Sequence, residues 1–292
     1  MKMSKMLPSA AAGMFCACTA LWPAWPAQDS LIPNFSPDSV TGWIAGVPDG
    51  ENPTGQDFLP PQSGPGPVAN DKAHPHVDDG AARRDGKQPT FRVADLTNPI
   101  LQPWVRDALR KANERALSGK PDFTPKERCW PIGVPGWLLY PVRPVWFLQT
   151  PREVTMIWEE DHMVRHVYLN VRHSPNVKPS WFGESIGHYE NGDTLVVDTI
   201  GLSTKNSYID NFRTPHTDKL HVVERFTVSA DGKNLTAVAT VEDPDTFNGP
   251  LTMQQRWFKV NDPMAETVCA ENNDDFFHQN LFPLPEAKTA DF

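Results

Sequence analysis

Residues 179–224 read PSWFGESIGHYENGDTLVVDTIGLSTKNSYIDNFRTPHTDKLHVVE, the densest run of aromatic, histidine and carboxylate side chains in the sequence. In its middle, Thr194, Leu195, Val196, Val197, Asp198 and Thr199 have the β-branched and apolar character that a pleated, half-buried strand accommodates. Asn191-Gly192-Asp193 just before them supplies the positive-φ position of a tight hairpin, and Gly201 marks the strand's end. Polar side chains flank the strand: Glu184, His188 and Glu190 on one side, His216, Asp218, His221 and Glu224 on the other. Acid and base groups around an apolar strand point to a site at the mouth of a β structure.

Working outward, strand signals recur at hairpin spacing after Cys129. Residues 145–149 and 154–160 are β-rich, and 165–172 alternates Arg165, Val167, Leu169 and Val171 against His166, Tyr168, Asn170 and Arg172. Residues 160–163 read as a hairpin connection. Residues 220–228 and 235–241 are joined by a Gly-containing loop over 229–234, residues 253–260 form another strand, and 267–270 a short last one. Strands without intervening helices predict an antiparallel, lipocalin-like barrel, with a β-sandwich as the alternative. The clearest helix covers 102–118: Pro103 fits its first turn, Gly119 its stop, and Asp107 sits four before Lys111. Trp104, Ala108, Leu109, Ala112 and Ala116 make its apolar face, which reads as core packing.

The chain has 292 residues and a formal net charge of −9, so a general affinity for nucleic acid or anionic membrane is not expected. Of its 30 prolines, 21 fall in residues 1–150. Extended or irregular chain therefore belongs to the first half and most of the sheet to the second. Lys2 and Lys5 precede an alanine-rich apolar run, so residues 1–27 read as an export signal and the protein as periplasmic or secreted. Phe15-Cys16-Ala17-Cys18 has the outline of a lipoprotein box, with Phe a poor residue at that position. No later stretch is long and apolar enough to span a bilayer. The organisation that follows is a Pro/Gly-rich extended arm over 28–100, a helix over 101–119, a β-barrel domain over 120–280 and a tail over 281–292. The arm offers a route to a homo-oligomer. Beyond the signal only Cys129 and Cys269 remain. In an oxidising compartment such a pair reads most simply as a disulfide, with two unrelated buried thiols as the alternative.

Glu127-Arg128-Cys129, Gln149-Thr150-Pro151, the block from Ser180 to Thr199, His216 to Arg225, Glu242-Asp243-Pro244 and Val268 to Asn272 together form a pattern. Over about residues 125–273 it resembles a large, mostly uncharacterised family of secreted bacterial proteins carrying an S-W-x-G-x-S-x-G-x-W-E-G-D-T-L-V-V-D-T block. This chain departs from the pattern at Tyr189-Glu190-Asn191, at Thr217 in place of Ser, and at Asn170-Val171-Arg172 in place of Asp-Gly-Arg. The resemblance implies export and the disulfide, and names no reaction.

For chemistry, His216 and His221 are the candidate proton-transfer residues, because imidazole titrates near working pH. Tyr168 is the candidate for stabilising developing negative charge. Arg172, Trp181, Glu184, His188 and Arg225 are the candidate substrate-binding residues. A metal site built from two histidines and a carboxylate would need His221 and Glu224 on one face, which an offset of three on a strand denies, so no metal is expected. Gly183-Glu184-Ser185-Ile186-Gly187 spells G-x-S-x-G without the strand–turn–helix setting of a nucleophile elbow. Walker, dinucleotide, zinc-finger and haem motifs are missing, so no cofactor is expected. These residues predict an enzyme acting on a small organic molecule by acid/base chemistry, of the lyase, isomerase or hydratase type. The alternatives are a lipocalin-like small-molecule binding protein and a structural or assembly protein.

Overall fold

Nine strands can close into a barrel only if one neighbouring pair runs parallel, because strand direction cannot alternate around a ring with an odd number of members. The computed structural model, which describes residues 32–36, 41–45, 58–59, 61, 64–78, 85–139, 143–205, 207–261 and 263–269, has this arrangement. The strands are β1 (Gly42–Ala45), β2 (Val145–Gln149), β3 (Glu153–Trp158), β4 (Met163–Leu169) and β5 (Glu184–Glu190), followed by β6 (Thr194–Ile200), β7 (His221–Val228), β8 (Asn234–Glu242) and β9 (Leu251–Val260). They pair in chain order, and β9 returns to β1. Every neighbouring pair is antiparallel except β4 and β5, where Val167, Tyr168 and Leu169 face Ser185, Ile186 and Gly187 in parallel register. The expected barrel is therefore present and antiparallel apart from that one pair. The export signal, the lipoprotein box and the tail over 281–292 lie outside the described residues.

Parallel neighbours need a long crossover, and here residues 170–183 supply it without a helix. Gly187 makes the junction fit: a Cβ there would stand 2.7 Å from the Val196 carbonyl oxygen and 2.8 Å from Val167 Cγ1. A glycine inside a strand marks such a close approach. It also disguises the strand, and the Gly-containing segment around Glu184 and His188 forms β5 rather than the loop its composition suggests. The hairpin to β6 uses Asn191 and Gly192 at φ 54° and 76°, as a primed turn requires.

The interior is filled by side chains. Val154, Met156 and Trp158 alternate inward on β3, Val222 and Phe226 on β7, and Leu235, Ala237, Ala239 and Val241 on β8. Trp137, from the short 3-10 segment Gly136–Leu139, packs against Phe226 and Trp257 with ring centroids 5.7 and 6.5 Å apart. One charged pair shares this interior. The Arg165 guanidinium (β4) meets the Glu224 carboxylate (β7) with both terminal nitrogens, and its Nε donates to Ser185 Oγ at 3.1 Å. One of those nitrogens also donates to Thr199 Oγ1 at 2.9 Å, and Trp137 Nε1 donates to Glu224 Oε1 at 2.9 Å. A buried charge is tolerable only when paired and hydrogen-bonded in this way.

The arm is partly barrel. Trp43, on the strand it contributes, is fully buried, and Leu59 and Pro65 continue along β9 through Leu59 N to Gln254 O and Thr252 N to Pro65 O. Helix α1 (Pro103–Leu117) docks through Val105, Leu109, Ala112 and Ala116. Trp104, expected on that face, is 44% exposed and donates Nε1–H to the Asp245 carbonyl, while Asp107 pairs with Arg110 rather than Lys111. Residues 267–269 form no strand; Cys269 is bonded to Cys129, as expected. Asp161 and Glu159 hold the same segment by accepting from Cys269 N and Ala265 N. Among the described residues no helix is long and apolar enough to cross a membrane.

Candidate functional site

Because side chains alternate along a strand, the outward positions of β4 to β8 form rows across the barrel wall. Tyr168, Ile186, Asp198, Val223 and Thr240 occupy one row. In the next row along, Glu184 faces Ile200 and His221 faces Glu242. Carboxylates and an imidazole thus meet on the outer surface at one end of the wall. The crossover over 170–183 then lays His173 among them.

The result is a chain of alternating carboxylates and imidazoles. Glu184 Oε1 lies 3.0 Å from His173 Nδ1, and His173 Nε2 lies 3.1 Å from Asp198 Oδ1. The same Asp198 oxygen lies 2.9 Å from His221 Nε2, and His221 Nδ1 lies 3.6 Å from Glu242 Oε2. Both nitrogens of His173 face carboxylate oxygens, so the ring satisfies both only when it carries two protons. Glu184 also accepts from Ser174 Oγ and, at 2.6 Å, from Ser174 N. The Ser174 hydroxyl first, then its backbone N–H and His173, hold the Glu184 carboxyl below its usual range. The His221 side chain is 35% exposed, within reach of a molecule from solution.

A second cluster lies farther along the same face. His188 and Arg225 flank Val196 in register, His188 Nε2 lies 2.9 Å from Glu190 Oε1, and Arg225 pairs with Glu190 Oε2. His188 first, then Arg225, lower the Glu190 carboxyl. His221 and Arg225 are four residues apart on one strand, a span of roughly 13 Å at 3.3–3.4 Å per residue. Val223 lies between them.

The sequence-based candidates divide accordingly. His221, Glu184, His188, Arg225 and Tyr168 share the outer face of β4–β7. Only His221 and Glu184 belong to the imidazole–carboxylate chain. Tyr168 stacks near His166, ring centroids 6.3 Å apart, and stands two strands from Asp198, roughly 10 Å by inter-strand spacing. Arg172 is exposed on the crossover, and Trp181 packs against Trp130 at 5.6 Å.

His216 is elsewhere and buried. Asp243 accepts from Thr217 N and Thr217 Oγ1, which draws that loop onto the turn at 243–247. His216 Nδ1 donates to the Thr217 carbonyl at 2.9 Å, and Nε2 has no hydrogen-bond partner among the described residues. Burial pushes its pKa below the ordinary imidazole range. The grouping of His216, Asp218, His221 and Glu224 therefore does not form a single cluster. His221 faces outward, Glu224 lies inside, Asp218 is exposed in the loop, and His216 is enclosed.

Sequence reasoning missed His173, Asp198 and Glu242. Asp198 and Glu242 carried a usable signal, since each has the outward parity of its strand. His173 carried none, because its position depends on the parallel crossover. Ser185, the serine of the G-x-S-x-G spelling, is buried and hydrogen-bonded to Thr199 and Arg165. Among the described residues no group of three or more histidine, cysteine or acidic side chains is arranged to hold a metal ion. Comparison of the chain with protein-family models, with curated proteins and with solved structures returned no match.

Proposed function

We propose that this chain is an exported enzyme that transfers protons to and from a small organic molecule with its own side chains, as a lyase, isomerase or hydratase does. One observation carries the reading: Asp198 Oδ1 lies 2.9 Å from His221 Nε2 on a partly exposed face. A base oriented by a carboxylate through one nitrogen keeps the other for substrate. Here Nε2–H donates to Asp198 and Nδ1 is the working base, with Glu242 beside it. Proton abstraction from substrate makes His221 an imidazolium, which Asp198 and Glu242 both stabilise. Return of that proton to a different atom completes an isomerisation, and its delivery to a leaving group completes an elimination. His188 and Arg225, both paired with Glu190 and roughly 13 Å along the face, lie outside the reach of a small substrate held at His221, and Tyr168 shares the outer face. The bonded Cys129–Cys269 pair favours an oxidising compartment, as export requires.

The test is deuterium exchange. Small carbonyl and hydroxy acids incubated with the oxidised protein in D2O are followed by proton NMR. The wild type is expected to exchange or convert at least one of them. His221→Ala and Asp198→Asn are expected to lose about 10²–10⁴-fold in rate with unchanged thermal unfolding. Full activity in both variants would remove the assignment and move attention to His188 and Glu190.

A further inference from the structure

Three segments meet beside the start of β5: residues 122–133, the end of the crossover at Trp181, and the loop over 207–213 before β7. A Cβ at Gly133 would stand 2.7 Å from the Trp181 carbonyl oxygen and 3.5 Å from Ser207 Oγ, and Arg213 Nε donates to the Asp122 carbonyl at 2.5 Å. The Trp130 and Trp181 rings, both partly exposed, lie 5.6 Å apart.

Three arginines gather here around one carboxylate. Asp122 gives its carboxylate to Arg115 and offers Arg213 only its backbone carbonyl. Arg213 is 8% exposed, and its other acceptor is the Asn211 carbonyl at 3.3 Å. Its second terminal nitrogen, Nη2, has no acceptor among the described residues and is not sealed from solvent. Arg128 is exposed, with its guanidinium 5.6 Å from the centre of the Phe123 ring and 5.5 Å from that of Trp130. Among the described residues no carboxylate pairs with it. Burial first, then Asp122, raises the pKa of the Tyr208 phenol, while Arg213, Arg128 and Arg115 pull it down, so all four charges lie around one half-buried hydroxyl.

Two guanidiniums are thus left without a carboxylate of their own in a protein of net charge −9. A buried cation is ordinarily paired. Arg213 is also held in the left-handed region, at φ 70°, by a turn that Asp210 ties through bonds from Phe212 N, Thr214 N and Thr214 Oγ1. That conformation is costly for a residue other than glycine and collects at ligand sites.

We propose that this corner binds an aromatic carboxylate, which takes N–H donors from Arg128 and from Arg213 Nη2 and lays its ring against Trp130 and Trp181. A planar guanidinium held against aromatic faces keeps its forked N–H edge for a carboxylate. The unpaired guanidiniums select the charge, and the two partly exposed indoles select the ring. The site does not depend on the His221 chemistry.

The experiment is calorimetric titration of the full oxidised protein with 2-naphthoate and with 2-naphthamide, its neutral analogue. One saturable site is expected, at least about tenfold tighter for the carboxylate, a factor in line with one charge-assisted hydrogen bond. Arg128→Gln, at an exposed position, is expected to weaken 2-naphthoate by about tenfold or more with little change in thermal unfolding, and Arg128→Lys to recover part of that loss. Arg213→Gln is expected to weaken it likewise; should that variant unfold, Arg128→Gln still decides. His221→Ala is expected to bind as the wild type does. Absence of saturable binding, equal binding of the two probes, or equally tight binding of inorganic phosphate would each overturn the proposal. So would an affinity for 2-naphthoate that Arg128→Gln leaves unmoved or that His221→Ala abolishes.

Discussion

Glu224 has no exposed surface, and its partners come from four separate segments: Arg165, Trp137 and, through Arg165, the hydroxyls of Ser185 and Thr199. Removing one member leaves the other charge buried and uncompensated, so Glu224→Ala is expected to cost about 3–5 kcal/mol in urea unfolding. The double replacement Arg165→Met with Glu224→Leu should cost less than Glu224→Ala alone, because no orphaned charge remains. His216 makes a pH prediction. Its pKa is lowered in the folded protein, so below about pH 6.5, the ordinary value, the unfolded chain binds a proton that the folded one refuses. Stability therefore rises with pH up to that value, is level above it, and falls on acidification by at most about 1.4 kcal/mol per pH unit. The lowered carboxyls of Glu184 and Glu190 act in a separate window, below their ordinary value of 4.5. Urea midpoints between pH 5 and 8 should slope for the wild type and flatten in His216→Asn. At this scale the sequence was half legible. The offset of three between His221 and Glu224 correctly separates them to opposite faces, but nothing local pairs Glu224 with Arg165, 59 residues away.

Strand β5 illustrates what composition hides. Its letters, ESIGHYE, carry a glycine and four titratable side chains, so they read as loop. They form a strand because Gly187 lets β4 approach in parallel and because the Asn191-Gly192 turn feeds β6 back in register. Gly187→Ala should therefore destabilise the protein by about 1–3 kcal/mol or more, since its Cβ meets a backbone carbonyl that cannot move aside. Gly249→Ala is the control. Nothing lies within 4 Å of a Cβ there, and thermal unfolding should hardly change. Strands with strict alternation, such as β8, were legible without the fold. The crossover over 170–183 was not, because a parallel neighbour is a property of the closed ring and has no local signature. With it went His173.

Across the whole molecule, the Cys129–Cys269 bond links positions 140 residues apart. On the loop-entropy estimate, so long a closure stabilises by about 5 kcal/mol, an upper figure. Reduction of the native protein, or Cys129→Ser with Cys269→Ser, should lower the unfolding temperature by several degrees and leave the far-ultraviolet β signal in place below it. The pairing and the barrel were both readable in the sequence, one from the count of cysteines after residue 27 and the other from strand spacing. The contribution of Gly42–Ala45 was not, since Trp43 and Ile44 are isolated apolar residues in proline-rich surroundings.

That small strand also sets an order of events. Gly42–Ala45 finds its partners at Trp257 to Val260, so the ring cannot shut until those residues, more than 200 positions further on, are available. A chain interrupted before Leu251 would hold both β8 and β1 with unpaired edges, the state in which β-proteins recruit one another. Contacts between such distant positions form slowly. During synthesis the first strand must therefore be kept from other partners while it waits for the last.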